Sequence, residues 1–339
     1  AVYCVATNAA TAENYDVRIT LKDSTVTSSS DDGDNCAVMI NIPGTLNIDN
    51  CTITGDRQAV MVRAGNATIR NSDIRATGKY EDSNDYEDTK AWGSGNEVPM
   101  AALIVGSQTN AYKANAVCTV TDTEISAPED KSKPAVYVSS NNDTQTGTTY
   151  TSQLNISGEK TKITGDMVAA DGKADEPASV IVKDNAVITG NITNNSVASA
   201  IAVIDGAAVS GTTTVKESTN GTIFVEGEED ESSDIVALNT VTGKPYQDLA
   251  SAFSEVKDGE TIRLEKNVQL DNTVNINKST TVDLNGKTIT SDTVAFKAAI
   301  QDGTFTIKDS KENGKITSNN KSNLIEIKEG ELVVEGGEL

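Results

Sequence analysis

Seven side chains with chemical potential crowd into one short stretch of the chain: Tyr80, Asp82, Asp85, Tyr86, Glu87, Asp88 and Trp92. Asp82, Asp85, Glu87 and Asp88 offer the oxygen ligands that calcium takes six to eight at a time, although their spacing matches no EF-hand. Tyr80, Tyr86 and the single Trp92 offer flat faces on which sugar rings stack at small entropic cost. The competing reading is a solvated loop whose Trp covers the flank of a rigid body. A second group, Arg63, Arg70 and Arg75 near Asp56 and Asp73, reads either as a base-and-carboxylate cluster or as an exposed wall of ion pairs worth about 0–1 kcal/mol each.

Other chemistries are excluded by composition. There is no His, so His-based nucleophile activation, general bases and metal ligands are all missing. Lys and Arg total 28 against 50 Asp and Glu, a formal charge of −22. Such a chain repels phosphate backbones and anionic lipid, so neither nucleic acid nor a membrane surface is an expected partner. No apolar run is long enough to span a bilayer, so no membrane insertion is expected. Cys4, Cys36, Cys51 and Cys118 show no zinc spacing. They read as buried small hydrophobes, with a Cys36–Cys51 disulfide as the alternative.

What positions these residues is a repeat. A segment with two alternating apolar residues, then Asx or Gly, then a further apolar residue recurs along the chain. It runs through Ile19, Leu21, Asp23 and Val26, through Leu46, Ile48, Asn50 and Ile53, and through Ala67, Ile69, Asn71 and Ile74. It returns at Cys118, Val120, Asp122 and Ile125, then with Asp184 and Asp205, and later at Val282–Ile289, Phe305–Ile316 and Leu332–Leu339. Short apolar strands precede several copies, at Ala37–Ile40, Ala59–Val62, Ala101–Ile104 and Ala135–Val138. Successive copies lie 21 to 27 residues apart over most of the chain, a solenoid period, and Val, Ile and Thr suit strands throughout. The expected fold is all-β, a right-handed parallel β-helix whose coils stack about 4.8 Å apart. The Asx column reads as left-handed turns or as a calcium ladder, the latter without the Gly-Gly-x-Gly-x-Asp repeat of calcium rolls.

Two features divide the solenoid. The acidic run Glu226–Ser233 reads as a linker. Beyond it Tyr246, Leu249, Phe253 and Val256 fall at helical spacing between Pro245 and Gly259, which predicts a helix near 245–257 that hides the first open edge of a second β-helix. Two stacked or tandem units are expected, 1–230 and 234–339, against one continuous solenoid with an inserted helix. The first unit carries the loop at about 79–97 as an insertion. The repeat breaks off at Leu339, so the chain reads as a fragment of something longer.

Val282–Thr290, together with Gly259–Val268 before it, resembles stretches recurrent in the pectate-lyase-like parallel β-helix superfamily, in its divergent bacterial cell-surface branch. The resemblance speaks to architecture rather than activity. It implies an extracellular or cell-surface location. Hydrolases of that superfamily use a Gly-His-Gly segment, which a chain without His cannot supply. Its lyases use aspartate-bound calcium and an Arg or Lys base. Two functions are therefore expected. The first is a non-enzymatic, monomeric adhesin or stalk binding a polysaccharide or host surface partner, with no catalytic residue. The second is a calcium-dependent polysaccharide lyase.

Overall fold

The computed structural model describes residues 1–4, 17–29, 36–77, 101–106, 114–127, 133–139, 151–170, 178–196, 199–216, 221–227, 234–319 and 323–339. The chain divides into two compact units, Ala1–Glu226 and Gly227–Leu339. Each is a parallel β-helix, so the fold is the all-β solenoid that the repeat predicts.

Three sheets wall the first unit. The first wall stacks eight strands, beginning Val2–Cys4, Cys36–Ile40, Gln58–Val62 and Ala101–Val105. The second also stacks eight, beginning Val17–Lys22, Gly44–Asp49, Gly65–Arg70 and Ala116–Thr121. The third stacks seven, from Thr25–Ser28 and Thr52–Gly55 to Ala208–Val209. Every strand pairs in parallel with the one a full coil away, so each position becomes a column. In the third wall Val26, Ile53, Ile74, Ile125, Ile163, Ile188 and Val209 lie over one another in register. The five isoleucines are fully buried, and β-branched side chains pack well on such a pleated surface.

The corner between the second and third walls is the tightest. Asp23, Asn50, Asn71, Asp122, Asp184 and Asp205 all adopt left-handed backbone with φ between 48° and 56°. Gly158 and Gly227, also at positive φ, fill the same position in the two coils that lack Asx there. Asx and Gly are the residues that reach this region cheaply. Neighbouring Asx side chains also bond across coils: the Asn50 amide donates to Asp23 Oδ1 at 2.7 Å. These contacts account for the Asx column as turn chemistry.

One step further round that corner runs a column that the apolar pattern conceals. Ser72 Oγ donates to Arg70 O at 2.7 Å and accepts the Cys51 amide at 3.0 Å. Thr123 Oγ1 donates to Thr121 O at 2.9 Å and accepts the Ser72 amide at 3.3 Å. Thr161 Oγ1 accepts the Thr123 amide at 3.4 Å. Ser24 Oγ donates to Lys22 O in the same way. Each hydroxyl thus satisfies one carbonyl of its own coil, and three of them satisfy the amide of a neighbouring coil as well.

Cys51 occupies this polar column, its thiol donating to Asp49 O at 3.3 Å. It is buried within the apolar interior cluster, as expected, and it is not bonded to Cys36. Both are free thiols, as is Cys118. The reason is geometric: Cys51 belongs to the interior cluster, at the corner between the second and third walls, whereas Cys36 belongs to a separate apolar cluster with outward residues of the first wall. Cys118 does sit in an apolar column, between Ala67 and Leu154, and burial pushes its thiol up to about 12.

The second unit opens differently from the expectation. Its helix is Leu249–Glu255 rather than 245–257, because Pro245–Tyr246 is a short strand and Asp248 caps the helix by accepting the Ser251 amide at 2.7 Å. The edge of the first parallel strand, Thr261–Leu264, is covered by the antiparallel strand Ala237–Asn239, itself paired with Pro245–Tyr246. Pro245 has no amide to donate and is tolerated at that margin. The helix instead seals the apolar interior: Leu249, Ala252 and Phe253 are buried, and Phe253 meets Phe296 and Phe305 edge-on at 5.7 and 6.3 Å. In later coils Phe296–Lys308 and Ile325–Val334 each run round a corner as one long strand. Gly330, at φ 96°, makes the close approach there, since a Cβ would lie 2.5 Å from Ile300 O.

Two outcomes are expected. Ser72→Ala leaves the Cys51 amide buried and unpaired and lowers unfolding free energy by about 1–3 kcal/mol in urea denaturation. Cys51→Ser, which restores the hydroxyl usual in that column, stays within about 1 kcal/mol of the parent; equal losses for both variants would contradict the ladder. In a maleimide labelling experiment read by peptide mass mapping, Cys36, Cys51 and Cys118 stay unmodified until the chain is unfolded, and all three then react without a reductant.

Candidate functional site

The three corners of the first unit differ in what they carry. From the second wall to the third, the connection is only two to four residues in every complete coil, because the left-handed turn closes it. The other two corners border the first wall and vary widely. Residues 56–57 suffice to join Thr52–Gly55 to Gln58–Val62, yet residues 77–100 join Asp73–Ala76 to Ala101–Val105. Residues 106–115 and 140–151 lead from the first wall to the second in the next two coils. Ile69 still pairs directly with Val120, so the residues between them make up one expanded coil and not two.

All seven residues singled out from the sequence, Tyr80, Tyr86 and Trp92 with Asp82, Asp85, Glu87 and Asp88, fall in the longest of these connections and lie outside the described residues. What the structure gives is their anchorage. At the departure point the Thr77 amide donates to Gly55 O at 2.9 Å, and its hydroxyl donates to Asp56 Oδ1 at 2.8 Å. The connection rejoins the fold at Ala101, in the strand that pairs with Gln58–Val62.

In the coils that carry these connections, from Cys36–Ile40 to Val136–Ser139, the first wall is buried on both faces. Val38, Val60, Leu103 and Val136 belong to the interior cluster. On the opposite face Met39, Met61, Ile104, Tyr137 and Val168 form a column in register, all buried, in a separate apolar cluster. Arg57 and Arg63, immediately before and after Gln58–Val62, are 2% and 3% exposed. The sequence pattern marks the apolar run Ala59–Val62 as a strand. It carries no sign that both faces are covered beyond the absence of polar alternation.

The basic cluster foreseen around Arg63, Arg70 and Arg75 is not assembled. Arg63 follows a first-wall strand and is buried. Arg70 ends a second-wall strand and pairs with Asp49 at 2.9 Å. Arg75 lies in the third wall and grips both oxygens of Asp73. The Arg70 and Arg75 side chains are more than half exposed, so those two pairs match the ion-paired wall. Among the described residues no three Cys, Asp or Glu side chains stand together as a metal would require. A concavity of about 340 Å³ in the second unit is lined by Asp309, Glu312, Asn313 and Glu338 with three glycines. Both Asp309 oxygens are spent there on the Gly286 and Gly314 amides, each at 2.7 Å. Also among the described residues, no helix is long and apolar enough to cross a membrane.

Comparison with protein-family models, with curated proteins and with solved structures finds no match to this chain.

The Asp49–Arg70 pair yields a pH test. The Arg70 guanidinium, followed by the Asn71 amide, holds the Asp49 carboxyl below its ordinary range. A folded-state pKa below the unfolded one stabilises the fold above the unfolded value of about 3.9, and that increment disappears as pH falls through the folded value. Arg70→Ala is expected to move the Asp49 titration upward in carbonyl-detected NMR and to flatten the corresponding part of the acid-unfolding curve. An Asp49 titration unmoved by the substitution would show that the ion pair does not form in solution.

Proposed function

We propose that the chain is a non-enzymatic, extracellular bacterial β-helix module that presents its long connections to a polysaccharide or to a host surface partner. One observation carries the reading: every connection longer than four residues in the first unit borders the first wall, and none interrupts the corner between the second and third. Insertions confined to one flank of a rigid solenoid are how repeat proteins build binding surfaces. The longest connection holds Tyr80, Tyr86 and the single Trp of the chain, side chains whose faces suit sugar rings. The resemblance of Val282–Thr290 to bacterial cell-surface β-helices supports the location. The acids of the same connection, Asp82, Asp85, Glu87 and Asp88, would let calcium bridge an anionic glycan to this acidic protein.

The test is a glycan array probed with the parent chain, with Trp92→Ala and with Tyr86→Ala, in calcium and in chelator. Binding that falls about tenfold in the aromatic variants is expected, a loss in the range of one stacked ring. Binding unchanged in both variants would reject the aromatic platform. Release of unsaturated product from pectate or alginate, followed by ultraviolet absorbance, would overturn the non-enzymatic assignment itself.

A further inference from the structure

We draw no further inference here: the strongest candidate, the outward face of the first wall where Met39, Met61, Ile104, Tyr137 and Val168 form a buried apolar column between Arg57 and Arg63, carries nothing because none of the described residues shows what covers it.

Discussion

Backbone pairing between one coil and the next is the interaction on which everything else in this protein depends. A strand of a parallel β-helix has no partner within its own coil, so every ladder hydrogen bond is made to a residue one full turn away. Keeping those bonds in register forces side chains to stack on their counterparts. A position is then acceptable only if its residue type tolerates a neighbour of its own kind above and below. Ile53, Ile74, Ile125, Ile163 and Ile188 meet that demand through shape. Asn50 over Asp23 meets it with a hydrogen bond. Ser72, Thr123 and Thr161 meet it with hydroxyls that donate to a carbonyl of their own coil and accept an amide of the preceding one. The low aromatic content, 4%, follows from the same demand, because large rings stack poorly in a narrow coil.

The constraint does not press equally on the whole circumference. It is severe at the corner closed by left-handed Asx and Gly, where no complete coil spends more than four residues. It is mild at the two borders of the first wall, where only the strand after the connection has to return to register. That asymmetry, rather than any single side chain, separates a structural side of the first unit from a side free to vary. It also explains why the residues with chemical potential fall where they do. The Asx residues of the tight corner are committed to left-handed turns, whereas the acids and aromatics singled out from the sequence fall in a connection that no such turn closes.

Much of this was legible from periodicity. Alternating Val and Ile, with Asx or Gly two residues on, named the coils of the first unit and placed their left-handed turns. Two coils were passed over although they fit the frame: Leu154 and Ile156 before Gly158, and Ile223 and Val225 before Gly227, both glycines at positive φ. Register in the second unit was misjudged by two residues. The repeat frame begins successive copies at Val282 and Phe305, whereas Phe305 pairs with Thr280 and Val282 with Ile307. A shift of two preserves which side chains face inward, so alternation cannot detect it; only the corner geometry can. Cys51 was legible as a buried residue, but its thiol was recognisable as a donor only beside Ser24, Ser72 and Thr123. The helix was found from its apolar spacing but begun too early, since Asp248 and not Pro245 supplies the cap.

The expanded coil poses the sharpest question about the balance of forces, since Ile69 and Val120 pair across 51 residues where the preceding coil spends 21. The closure penalty grows only with the logarithm of the number of residues between paired positions, so going from 21 to 51 adds about 0.8 kcal/mol. One buried Ile in the adjoining columns outweighs that, at about 2–5 kcal/mol on truncation to Ala. Register is therefore held locally by the columns on either side, and the length of a connection at a permissive corner is almost free. Long, chemically distinct connections can accumulate beside the first wall without loosening the coils that carry them, so the variation that supplies binding and the repetition that supplies stability come to occupy different corners of the same coil.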